Sequence, residues 1–179
     1  MNSVAEIFST TKNKTRVLIY TSHARLSDLV LEILSFVEKE TAFYSEYEQF
    51  ENPESDFAIL QTSDLEQAVD FHPNIVFISE EINPENLGSL LKNITGGGVV
   101  IYPKNAEETV NSAENYFRKL PYAEISFNQN AKTWETEIGS VPLNISEDYF
   151  IKNLHGIQLL AQQFGVLDEE FFEPVMNFQ

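Results

Sequence analysis

Four short runs of the chain are apolar at consecutive rather than alternate positions: Arg16–Tyr20 (RVLIY), Phe57–Leu60 (FAIL), Asn74–Ser79 (NIVFIS) and Val99–Tyr102 (VVIY). A strand apolar on both faces must be covered on both faces, which is the situation of a parallel sheet between two helical layers. The segments between the runs supply helices. From about Ser27, with Leu26 just before it, Val30, Ile33, Leu34 and Val37 recur at helical spacing, and Asp28 adds negative charge to the first turn. Asn83-Pro84 turns into a helix carrying Leu87, Leu90, Leu91 and Ile94, which Gly96-Gly97-Gly98 ends. Val110, Ala113, Phe117 and Leu120 predict one helix over Ala106–Leu120, followed by a strand at Ala123–Phe127. Lys132–Ile145 alternates loosely around Pro142 and reads as a hairpin at a sheet edge. A late helix opens at Ser146-Glu147-Asp148 and stops at Gly165, and a short one follows over Asp168–Asn177. The expected fold class is α/β, a mainly parallel sheet sandwiched by helices, with residues 15–179 as one domain and residues 1–14 as a frayed start.

Composition narrows the function classes. The chain has 179 residues with 28 acidic and 11 basic side chains, a formal charge of −17. That balance argues against a nucleic-acid partner, whose backbone is held by clustered Lys and Arg. At 42% hydrophobic residues, 14 of them Phe, the chain is too apolar for intrinsic disorder. No apolar run approaches the ~20 residues of a membrane helix, and MNSVAEIFST lacks the pattern of a signal peptide. With no cysteine as well, a cytoplasmic protein without membrane attachment is expected.

In sheets of this kind ligands gather at the carboxyl ends of the strands, so the turn after the first strand carries most weight. It reads Tyr20-Thr21-Ser22-His23-Ala24-Arg25-Leu26-Ser27. A phosphate-cradling loop needs glycines for close backbone approach, a Lys for the terminal phosphates and a following hydroxyl for Mg²⁺. This turn has the position and length, but no glycine, Arg25 in place of Lys and Leu26 in place of the hydroxyl.

The order "strand, T-S-H-A-R-L-S, helix" resembles the T-G-T-H-G-K-T-T turn of the Mur ligases, ATP-dependent enzymes that join amino acids or peptides to muramate nucleotides. Asp56–Glu66 (DFAILQTSDLE) resembles that family's second strand, and Lys152–Ala161 (KNLHGIQLLA) its H-N-x-x-N-x-L-A-A-I-A helix. Phe164-Gly165-Val166, the ending Val175–Phe178 and the strand–helix–strand of Asn74–Asn105 also fit. The likeness covers residues 15–178 and implies the family's middle, ATP-binding domain, a P-loop-NTPase-like fold. Carried over position by position, it implies a relict nucleotide-binding set of Thr21, Ser22, His23, Ala24, Arg25, Ser27 and Asn153, with Asp64 as the metal position. His23 is kept; Thr21 and Ala24 replace the loop glycines, and Ser27 is a partial substitute for the lost hydroxyl. Gln61 replaces a Glu, Glu80-Glu81 stands where the family has an acidic-and-histidine turn, and Gly156 replaces the Asn that faces adenine.

Three lost charge-assisted contacts at ~1.5–3 kcal/mol each forfeit ~4–9 kcal/mol, enough to abolish micromolar nucleotide binding. The length leaves no room for the family's flanking nucleotide-sugar and amino-acid domains. The expectation is therefore a non-catalytic relative acting as a binding or interaction module, with no cofactor and with a protein or small-molecule partner. A homodimer through the sheet edge is compatible with it. The alternative is an ATP- and Mg²⁺-dependent ligase subunit that borrows its other domains from a partner chain. Blander readings stand beside each candidate. The turn can be an ordinary strand-to-helix connection, Asp64 a helix cap, Asn153 and His155 packing groups, and Glu80-Glu81 a solvated pair. The aromatic run Phe43, Tyr44, Tyr47 and Phe50 reads as a core edge.

Overall fold

A computed structural model describes residues 3–137 and 139–179. Each apolar run is a strand: β1 (Thr15–Tyr20), β4 (Phe57–Thr62), β5 (Ile75–Ile78) and β6 (Val99–Pro103). Three more strands join them, β2 (Ala42–Tyr44), β3 (Gln49–Phe50) and β7 (Arg118–Tyr122), giving the order β3-β2-β4-β1-β5-β6-β7. Every neighbouring pair is parallel except β2 with β3. β1 is central, with Val17 level with Ile59 on one side and Ile75 on the other.

Alternate strand residues divide the core into two layers. Val17, Ile19, Ile59, Phe77 and Ile101 face α2 (Ala24–Phe36), α6 (Asp148–Gln163) and α7 (Asp168–Asn177). Leu18, Tyr20, Leu60, Val76 and Val100 face the opposite layer. That layer is built from α1 (Val4–Thr10), α3 (Leu65–Asp70), α4 (Gly88–Lys92) and α5 (Glu107–Asn111). Both faces are apolar because both are covered, as the consecutive apolar runs require.

The N-terminal stretch departs from the frayed start expected for it. Ser3 and Glu6 form a capping box on α1, and Ile7 is buried. Arg16 ties this helix down: its guanidinium lies 5.0 Å from the Phe8 ring centroid and donates to the Phe71 and His72 carbonyls. Residues 1 and 2 lie outside the described residues.

The single helix expected over 106–120 is a second correction. It ends at Asn111, and the chain re-enters the sheet as β7, so the strand expected at 123–127 sits five residues earlier. Phe117 and Leu120 are apolar because of the sheet, and they extended the helical spacing by coincidence. Two cations and Pro121 hide the strand; at an edge the proline costs no ladder bond. The expected hairpin exists, as β9 (Thr133–Thr136) with β10 (Gly139–Pro142), but it forms a separate sheet with β8 (Phe127–Asn128) rather than an edge of the main one. Trp134 fastens it to α7 by an edge-on contact with Phe172 at 5.5 Å.

Two glycines permit close approach. A Cβ on Gly98 would collide with the Asn74 carbonyl oxygen, so the glycine run is a tight entry into β6. A Cβ on Gly156 would lie 2.7 Å from both the Phe77 and Tyr122 rings, so α6 rests directly on them. Gly156→Ala should therefore destabilise the chain by about 1–3 kcal/mol. Gly88→Ala, in a helix with open space around it, should be neutral or stabilising by up to about 1 kcal/mol. Urea unfolding of the two variants checks both signs.

Candidate functional site

The turn between β1 and α2 is organised around a carboxylate from elsewhere in the chain. Because β1 and β5 are adjacent parallel strands, the turn after β5 lies beside the turn after β1. The Thr21 hydroxyl donates to Glu81 Oε1 at 2.7 Å, the Ser22 N–H at 2.9 Å and the Ser22 hydroxyl at 3.2 Å. The Ser79 hydroxyl donates to the other oxygen, Oε2. Thr21 is fully buried and also accepts from the His23 N–H at 3.0 Å, so its single hydroxyl proton is committed to Glu81 and its position is fixed within the turn. Glu81 is an exposed residue overall, with its head group turned inward. Desolvation of that head group is the largest single influence and pushes its pKa up. The bonds from Ser79, Thr21 and the Ser22 N–H together outweigh it and hold the carboxyl below the usual range.

The other sequence-derived positions are also engaged within the chain. His23 stacks on Tyr149 with ring centroids 4.4 Å apart. Ala24 opens α2, and the Ser27 hydroxyl donates back to its carbonyl at 2.6 Å. Arg25 points to the C-terminal segment: it pairs with Glu147 at 3.0 Å, donates to the Gln179 carbonyl, and lies 5.3 Å from the Phe178 ring centroid. Asp64 caps α3, accepting from the Gln67 N–H at 2.9 Å. Gln61 donates to the Thr21 carbonyl at 2.9 Å.

Asn153, fully buried, locks α6 to the same corner. Its oxygen accepts from the Glu80 N–H at 2.9 Å and lies 2.6 Å from the Tyr122 hydroxyl, and its nitrogen donates to the Tyr149 carbonyl at 2.7 Å. Burial lifts the Tyr122 phenol well above its usual range, helped by Glu81 and Glu80, so it remains a protonated donor. The Glu80 side chain lies 3.6 Å from Lys152, which also pairs with Asp148 at 3.0 Å. His155 lies on another face of α6 at a separate cavity, and burial lowers its pKa. The structure thus brings Thr21 and Ser22 together with Glu81, and His23 together with the Tyr149–Asn153 turn of α6. Arg25 and Ser27 are directed elsewhere, and Asp64 caps α3 at a cavity it shares with Ser22.

Beside the turn, on the side of β4, a cavity of about 580 Å³ is lined by Ser22, Ala24, Gln61, Thr62, Asp64 and Tyr44 among others. Its described lining contains carboxylates and hydroxyls but no Lys or Arg.

No protein-family model matches the sequence, and no curated protein matches it. Solved structures do. A murein peptide ligase (Mpl) from Psychrobacter arcticus superposes with a TM-score of 0.75 at 9% identity, over 99% of this chain and 50% of that one. The fold is Mur-ligase-like. MurF from Acinetobacter baumannii gives 0.67 at 13% identity, over 98% and 48%. A bifunctional folylpolyglutamate synthase/dihydrofolate synthase from Yersinia pestis, complexed with AMPPNP and Mn ion, gives 0.58 at 11%, over 98% and 60%. The chain spans about half the length of those two Mur ligases.

ATP and Mg²⁺, the groups such a fold implies, do not fit the residues present. The N–H and hydroxyls that would meet a phosphate already hold a carboxylate, whose charge would repel one. Arg25, the cation of this turn, is tied to Glu147 and Gln179. Among the described residues no grouping of three or more His, Cys, Asp or Glu is arranged to hold a metal ion.

Glu81 has a lowered folded-state pKa, so its contribution to stability is present above the ordinary value of 4.5 and is lost as pH falls through the lowered one. The stability difference between the wild type and Glu81→Gln should therefore be largest near pH 7 and shrink progressively below about pH 4.5. Denaturant unfolding at several pH values measures it.

Proposed function

We propose that this chain is a non-catalytic relative of the Mur ligase ATP-binding domain, serving as a binding or interaction module for a protein or small-molecule partner. One observation carries the reading. The donors of the β1–α2 turn are satisfied by Glu81, an anion built into the chain where such folds hold a phosphate. A fold outlasts the chemistry once grafted on it, because the site rather than the scaffold determines function. The bonding of Arg25, Asp64 and Asn153 within the chain supports the same reading. The setting is the bacterial cytoplasm that the resemblance implies.

Thermal unfolding with Mg²⁺-ATP tests the proposal. A ligand at 100 times its dissociation constant adds ~2.7 kcal/mol, a rise of roughly 5–10 °C for a chain of this size. At about 5 mM Mg²⁺-ATP the expected rise is below about 1 °C, with no ATP hydrolysis. A rise of the larger size that Arg25→Ala abolishes, or hydrolysis appearing on addition of a partner chain, would replace this reading with a ligase subunit.

A further inference from the structure

A second concavity, of about 680 Å³, runs along one flank of α2 between that helix and the β3 edge of the sheet. Its rim carries Asp28 and Glu32, one turn apart on α2, with Glu38 and Glu40 from the connection to β2. Its apolar floor is Leu31, Phe50 and the core residue Leu34. Phe50 is 39% exposed and stacks on Phe43 at 5.5 Å, so its inner face is in the core edge and its outer face is not.

The charges around this groove are one-sided. Among the described residues none of those four carboxylates makes an ion pair. The one cation of the lining, Lys39, is drawn off to the Phe57 ring, 5.4 Å from its centroid. Partial desolvation raises the Asp28 pKa, and the Arg25 charge one turn earlier only partly offsets it. β3 is the last strand of the sheet, with no strand beyond it.

We propose that this groove docks a cationic amphipathic helix of a partner protein, its apolar face on Leu31 and Phe50 and its Lys or Arg side chains on Asp28, Glu32, Glu38 and Glu40. The occupant follows from charge complementarity. Opposite charge steers encounter and selects the partner, and an apolar face read at i, i+3 and i+4 is how a helix fills a groove. From Asp28 to Ser35 the α2 wall spans about 10 Å, two turns of a bound helix. A second copy of this chain fits poorly, since it brings a charge of −17 to an acidic surface. The inference rests on the interaction-module reading and names the kind of partner.

The probe is a fluorescein-labelled 14-residue Leu/Lys amphipathic helix, titrated with the full chain by anisotropy at physiological salt. Two triple variants separate the groove from the overall charge: Asp28→Asn/Glu32→Gln/Glu38→Gln, and Glu107→Gln/Glu108→Gln/Glu114→Gln on the far layer. Binding in the micromolar range is expected, weakened at least about tenfold by the groove triple and less than about threefold by the far one. Phe50→Ser should weaken it several-fold while leaving the salt dependence unchanged. Equal weakening by both triples, or no binding at about 100 µM chain, would overturn the groove. Circular dichroism confirms that each variant is folded. The Mg²⁺-ATP thermal shift of the same wild-type sample stands apart from this result, so a failed groove and a failed interaction-module reading give different outcomes.

Discussion

The Glu81 carboxylate is the constraint on which the corner at the β1–α2 turn depends. It reaches from the turn after β5 to the turn after β1 and accepts from Thr21, Ser22 and Ser79. Hydrogen bonds to a charged group contribute about 1.5–3 kcal/mol each when made, and a buried donor left without its acceptor costs a similar amount. The neighbouring Glu80 N–H is held by Asn153, and Asn153 lies within hydrogen-bond distance of the Tyr122 hydroxyl at the end of β7. One short segment, Ser79–Glu81, thereby joins the ends of β1, β5 and β7 to α6.

The same arrangement holds the turn together by contacts within the chain alone. Strand-to-helix turns at the carboxyl end of a parallel sheet present donors that want an anion. Here the chain supplies the anion itself, and the neighbouring cations have partners of their own. Arg25 fastens the end of the chain against Phe178, and Lys152 pairs with Glu80 and Asp148. In a chain with 28 acidic residues against 11 basic, unassigned positive charge is scarce, and the acidic groove beside α2 is the complement of that scarcity.

Much of the fold is legible in the sequence because both-face burial writes consecutive apolar residues into β1, β4, β5 and β6. The edge strands are not legible: β3 is two residues long, and β7 carries Arg118, Lys119 and Pro121, none of which signals a strand. The helix α1 is anchored through Phe8 on Arg16, which the distant Phe71 and His72 carbonyls hold in place, and local polarity hides this. At the site, the missing glycines and lysine are visible in the sequence, but Glu81 reads only as half of an acidic pair. Its role follows from β1 and β5 being neighbours, and adjacency of strands is not written locally. Gly156 reads as a lost adenine contact, whereas in the fold it is what lets α6 approach Phe77 and Tyr122. A sheet contact and a ligand contact can demand the same position, and spacing alone does not separate them.

The most direct measurement of this account is the amide of Ser22 followed by ¹⁵N–¹H correlation spectroscopy, through a pH titration and then with inorganic triphosphate added near pH 7. A carboxylate seated in the turn predicts that the Ser22 amide proton resonates downfield and moves upfield as Glu81 protonates. The midpoint should lie below the ordinary glutamate value, the movement should be absent in Glu81→Gln, and triphosphate should leave the resonance in place. A Ser22 amide indifferent to pH and to Glu81→Gln, yet displaced by triphosphate, would contradict it and return the turn to phosphate binding.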